Sequence, residues 1–134
     1  MARRTVRAIV LTALAVILVA VWSAALAAGG APKAPEKYTT LCASCHGPEG
    51  KGDGPAAAPF KMMNPPVNVR NLTDGKYMNG KTDAHLIKVI KEGGPSVGLS
   101  PLMAPMGSQL SEKEIKEIIV FLRSVAVPKY EPKK

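Results

Sequence analysis

The sequence predicts an all-α domain of three or four helices joined by long loops. Three observations predict it. Apolar residues recur at helical spacing in three separate stretches, the segments between them are dense in glycine and proline, and no strand-like alternation of useful length occurs anywhere.

The first quarter of the chain stands apart from that domain. Arg3, Arg4 and Arg7 give a basic start, an almost unbroken apolar run covers residues 8–28, and Ala25-Leu26-Ala27 is a cleavage-type triplet. Residues 1–27 therefore read as a secretory signal. Because the apolar run nearly reaches the roughly 20 residues that span a bilayer, an uncleaved N-terminal anchor is the alternative. Both readings place the remainder outside the cytoplasm, in a periplasm or otherwise exported. Residues 28–33 form a flexible lead-in, 34–127 the folded domain and 128–134 a C-terminal tail.

A domain of this size buries only a marginal core by itself. Aromatic content is low, and the only tryptophan, Trp22, lies in the targeting segment. The core must be filled by aliphatic side chains, a few Tyr and Phe, or a body that is not protein. Loss of Arg3, Arg4 and Arg7 with the signal would leave +5 of the formal net charge of +8. The remaining cations (Lys51, Lys61, Arg70, Lys76, Lys81, Lys88, Lys91) are scattered singly, without the motif or interleaved aromatics of a nucleic-acid binder. They suit a solvated surface or steering toward an acidic partner.

The first helical stretch, over residues 34–45, places Tyr38, Leu41, Cys42 and Cys45 on one stripe, with Pro35 in its first turn. The only two cysteines of the chain lie here, in Cys42-Ala43-Ser44-Cys45-His46. Two thiols three apart on a helix share a face. They can reach the two vinyl groups of one porphyrin while the next residue, His46, offers its imidazole to the iron, which is the chemistry of a C-x-x-C-H haem attachment site. Competing readings are a disulfide, a thioredoxin-like redox pair and a zinc site. A disulfide across so short a loop adds little. The redox pair wants a βαβ context that the sequence lacks, and zinc wants four ligands where only His85 remains as an extra nitrogen.

After His46, residues 47–55 are too rich in glycine and proline for regular structure, and 56–71 continue as irregular chain. Such a stretch makes sense wrapped around a large flat ligand, with Phe60, Val67 and Leu72 packed on it. A second helix is predicted at 82–92, with Thr82 as cap, Leu86, Val89 and Ile90 as apolar stripe, and Gly93-Gly94 as stop. His85, off that stripe in the first turn, is expected to face solvent. The last helix opens with a capping box, Ser111 to Glu114, and continues through Ile115, Ile118, Ile119, Leu122 and Ala126 until Pro128 stops it. Glu112/Lys116 and Lys113/Glu117 form i,i+4 pairs on its outer face.

An iron held by one histidine needs a second ligand or keeps an open site, and methionine sulfur is the expected partner. Met62, Met63 and Met78 read as gap-filling core. Met103 and Met106 sit in the proline-stiffened loop just ahead of the capped helix, where a sulfur can be held rigidly.

These features together resemble the bacterial class I mono-haem cytochromes c. The resemblance covers residues 34–127 and rests on Tyr38 four residues before Cys42, on Cys42-Ala43-Ser44-Cys45-His46-Gly47, on Gly52-Asp53-Gly54-Pro55, and on Leu110-Ser111-x-x-Glu114-Ile115. It implies a small cytochrome c fold around one covalent haem c, with Cys42 and Cys45 as thioether positions and His46 as one axial ligand. The family's axial methionine, seven residues before the position of Leu110, falls on Met103. Ala104 stands where that methionine is usually followed by proline, which keeps Met106 as rival. The resemblance further implies that the Pro55 carbonyl accepts from the His46 ring, and that the first and last helices cross at Tyr38 and Phe121, with Ala34 where a glycine is common.

The implied function is electron transfer rather than enzyme catalysis. With both axial positions filled by protein, the domain is expected to be a monomeric one-electron carrier between exported or membrane-bound redox proteins that present acidic docking surfaces. No nucleic acid is expected as partner, and membrane contact only through an uncleaved N-terminus. Two alternatives remain at this point: a cytochrome c subunit of a larger oxidoreductase, and an open-site haem protein of peroxidase-like or gas-binding type.

Overall fold

A computed structural model of the chain describes residues 32–131. The expected signal or anchor, residues 1–27, lies outside the described residues, as do the last three positions of the expected tail. Among the described residues five α-helices follow in order: α1 (Glu36–Leu41), α2 (Ala43–His46), α3 (Gly75–Asn79), α4 (Asp83–Glu92) and α5 (Glu112–Val125). Short 3₁₀ turns at Pro55–Ala57, Pro59–Met62 and Gly94–Val97 punctuate the loops. No strand occurs among the described residues, and Asp74 and Val127 form an isolated parallel bridge. The all-α expectation holds.

Each long helix starts where its capping residue requires. Thr82 accepts the His85 backbone N–H at the head of α4. Ser111 accepts the N–H of Glu114 while the Glu114 carboxylate accepts the Ser111 N–H at 2.8 Å, a complete capping box on α5. Leu86 and Ile90 of α4 meet Ile115, Ile118, Ile119, Phe121 and Leu122 of α5 in one apolar core. Tyr38 of α1 joins that core and packs against Phe121, as expected.

Four expectations are corrected. The single helix over 34–45 is broken at Cys42, whose N–H donates to the Tyr38 carbonyl at the end of α1 and whose own carbonyl accepts from His46 N at 2.9 Å, so the two cysteines sit at a joint between helical segments. Helix α3 went unpredicted; its signal is Asp74, whose side chain accepts from Tyr77 N. Met62 and Met63, expected in the core, are 88% and 46% exposed, because the turn at Pro59 carries them outward, whereas Met78 is fully buried. Glu112 pairs with Lys91 of α4 rather than with Lys116, while Lys113 and Glu117 pair at 3.8 Å as expected.

Candidate functional site

The core stops short of filling the space between α1–α2, α4 and the loops. A cleft remains there, and its lining is predominantly apolar. The α1–α2 joint contributes Leu41, Cys42, Cys45 and His46; the loop after it contributes Phe60, Val67 and Leu72; α4 contributes His85, Leu86, Val89 and Ile90; and the loop before α5 contributes Met103 and Met106. Of the sequence-derived candidates, Cys42, Cys45, His46, Met103 and Met106 thus line one cavity together, and Pro55 does not.

Local backbone chemistry puts them there. Gly47, at φ +77, turns the chain out of α2 in a conformation that L side chains rarely adopt. The loop then folds back: Gly52 N–H donates to the His46 carbonyl at 2.8 Å and Gly54 N–H to that of Cys45 at 3.1 Å. A Cβ at Gly54 would run into the Ser44 carbonyl, so only glycine lets the loop lie this close to α2.

The imidazole of His46 is oriented by a carbonyl, though not the expected one. Its Nδ1 lies 3.3 Å from the oxygen of Arg70. Pro55 instead opens a 3₁₀ turn, stacked on α2 through Gly54. Facing an acceptor, Nδ1 must carry the proton, which leaves Nε2 with its lone pair free to bind a metal. Burial lowers the His46 pKa and outweighs the opposing effect of the Arg70 hydrogen bond, so the ring is neutral at ordinary pH.

Cys42 and Cys45 are free and half-buried. Burial, with the neighbouring Cys45, pushes the Cys42 thiol up to about 11. That is opposite to the depressed value of a redox-active C-x-x-C pair. Among the described residues no group of three or more His, Cys, Asp or Glu is placed to hold a metal ion.

The two candidate methionines differ in their surroundings. The Met103 backbone is pinned twice: its N–H donates to Ser100 O at 3.1 Å, and its carbonyl accepts from Gly94 N at 2.8 Å. The Met106 backbone is held as firmly, its N–H donating to Ile90 O at 2.9 Å and its carbonyl accepting from Gln109 N at 3.0 Å, but its sulfur also accepts from the Gln109 side-chain amide at 3.5 Å. Among the described residues no hydrogen bond reaches the Met103 sulfur.

Sequence reasoning missed several lining groups. His85, expected in solvent, is half-buried in the cleft, because it precedes Val89 by one helical turn and shares its flank of α4. Arg70, Tyr77 and Lys81 also line the cleft; the Arg70 guanidinium stands 4.1 Å above the Tyr77 ring and the Lys81 ammonium 5.1 Å from it. No periodic pattern marks these three, because they come from a loop, a five-residue helix and a turn.

A family model described as cytochrome c oxidase, cbb3-type, subunit III matches residues 30–122. The chain belongs to this cytochrome c family. Within it, the chain is similar to the cbb3-type cytochrome c oxidase subunit FixP of Azorhizobium caulinodans, with 30% identity over 95 residues, 71% of this chain and 27% of the relative. The chain therefore spans about a quarter of the length of the curated relative it matches. No solved structure matches. Membership of this cytochrome c family brings a covalently bound haem c with its iron, and an electron-transfer role rather than catalysis by the domain itself. The cleft fits such a group: a flat apolar body would be walled by aliphatic and aromatic side chains, with two thiols, a correctly tautomerised imidazole and a thioether sulfur along its lining.

Proposed function

We propose that the domain is a one-electron carrier in which Cys42 and Cys45 hold haem c through thioethers while His46 Nε2 and the Met103 sulfur are its axial ligands. The observation that carries this reading is that all four groups line a single apolar cleft. The haem supplies an Fe(III)/Fe(II) couple, and the chain's own residues bind, orient and dehydrate it. Arg70 O keeps the His46 ring in the ligating tautomer. Both loop positions are held through their backbone N–H and carbonyl, and Met103 is favoured over Met106 because the Met106 sulfur already accepts from Gln109. With thioether and imidazole both bound and the lining apolar, the potential is expected to be raised relative to a wetter site.

The family and the FixP likeness favour a subunit role: an exported haem domain delivering electrons to a cbb3-type oxidase, guided by basic side chains such as Lys61, Arg70 and Lys88 toward an acidic surface. No helix among the described residues is long and apolar enough to cross a membrane. On this reading the basic start and apolar run of residues 1–27 act as export signal or anchor. Direct electrochemistry on the purified holoprotein tests the carrier reading. A reversible one-electron wave without added substrate supports it, and a wave that grows catalytically with peroxide or oxygen contradicts it. Recovery of the tagged chain with an oxidase from detergent-solubilised membranes separates subunit from free carrier.

A further inference from the structure

Arg123, on α5, has a side chain only 10% exposed, yet it lies outside the haem cleft. Its guanidinium reaches across to the segment between α3 and α4. Nη1 donates to the Met78 carbonyl at 2.6 Å, Nη2 to the Lys81 carbonyl at 2.6 Å, and Nε and Nη2 to Asp83 Oδ1 at 3.0 and 2.7 Å. The opposite face of the fork is covered by Tyr130, whose ring centroid lies 3.8 Å from Cζ. A planar fork satisfies three acceptors at fixed angles in a way that an ammonium on a flexible stem cannot.

The clamped segment is part of the cleft wall. Tyr77, Met78, Lys81, His85 and Leu86 all line the cleft, and the acceptors of Arg123 lie on Met78, Lys81 and Asp83. The C-terminal residues reinforce the clamp from outside. Val127 accepts from Gly75 N at 3.0 Å and donates to Thr73 O at 2.9 Å, while the Asn79 amide donates to the carbonyls of Pro128 and Lys129. Residues 127–130 thus act as a strap over the back of that wall.

We infer that Arg123 is a positioning residue for the haem: it fixes the Tyr77–Leu86 wall against the cofactor and, under the cover of Tyr130, keeps water from that face. This inference rests on the haem-binding reading of the cleft. A loosened wall would admit water, and a wetter site stabilises the more positively charged ferric state, so the reduction potential falls.

The test is the midpoint potential of the full holoprotein by spectroelectrochemical titration, alongside far-ultraviolet circular dichroism. Arg123→Gln, with wild-type helicity, is expected to lower the potential. Arg123→Lys, which keeps the charge and loses the fork, is expected to lower it as well. Should Arg123→Gln fail to yield folded holoprotein, Asp83→Asn and Tyr130→Ala each weaken one side of the clamp and are expected to shift the potential in the same direction by less. An unchanged potential in folded Arg123→Gln, or in both milder variants, overturns the inference even where thermal stability drops, since Arg123 would then only brace the fold. Wild-type protein that takes up no haem would instead overturn the reading on which the inference rests.

Discussion

Tyr38 and Phe121 meet with ring centroids 4.7 Å apart and planes tilted by 56°, which joins α1 to α5 at the back of the haem cleft's cysteine joint. Tilted aromatic pairs of this kind add to the stabilisation that their burial already gives. Tyr38 also donates its hydroxyl to the Gly47 carbonyl at 2.9 Å, so one side chain fixes both the helix crossing and the turn that follows His46.

Phe121→Ala empties space in the middle of that crossing and is expected to cost about 3–5 kcal/mol of holoprotein stability. Tyr38→Phe is milder, about 1 kcal/mol, because the Gly47 carbonyl keeps a second donor in Gly50 N. Urea unfolding followed by circular dichroism measures both, and the ordering of the two variants is the diagnostic result.

The same tyrosine makes stability depend on alkaline pH. Burial first, then the neighbouring Cys42 and Asp53, hold the Tyr38 phenol well above the usual tyrosine range. Thioether formation at Cys42 removes one of these influences and leaves burial, the largest. The unfolded chain ionises this group near pH ~10. Its folded pKa is the higher, so its contribution is complete below that pH and is lost as the pH rises toward the folded value. Stability is expected to fall above pH ~10, with a shallower fall in Tyr38→Phe.

At the other end of the pH scale the α5 capping box dominates the expectation. Hydrogen bonds from the Ser111 backbone N–H and hydroxyl are the main influences that hold the Glu114 carboxyl below its usual range. Its contribution is present above the usual glutamate pKa and disappears as the pH falls through the depressed folded value. Ser111→Ala is expected to cost about 1 kcal/mol at neutral pH. Glu114→Gln should remove part of the acid-side slope, as read from melting temperature between pH 3 and 7.

How much of this was legible in the sequence follows from where each group sits. Ser111, Glu114 and the Ile115–Leu122 stripe announce α5, because a capping box and a period of 3.6 are local signals. Cys42, Cys45 and His46 are legible because they are adjacent in the chain. Met103 needed the resemblance, and its preference over Met106 rests on a Gln109 contact that no periodicity encodes. The exchange of Pro55 for Arg70 beside His46 and the strap over α3 depend on pairings 24 to 54 residues apart in the chain. Such contacts are fixed by how the loops close around the cleft, which spacing along the chain does not express.

Covalent attachment gives a further expectation. Replacing either Cys42 or Cys45 with Ala should leave one thioether, and replacing both should make the haem extractable by acidified acetone. The double variant is also expected to lose cooperative unfolding once its haem is removed, because the cleft is lined by apolar side chains that would then face water. A cooperatively melting apo double variant would contradict that.

The central claim is an iron closed by His46 and Met103. Optical spectra of the reduced holoprotein with and without carbon monoxide, for wild type, Met103→Ala and Met106→Ala, test it most directly. Wild type and Met106→Ala are expected to stay low-spin and ignore carbon monoxide, while Met103→Ala binds it. Ready binding by wild type would mean an open iron and contradict the carrier account, and binding by Met106→Ala alone would move the ligand to Met106.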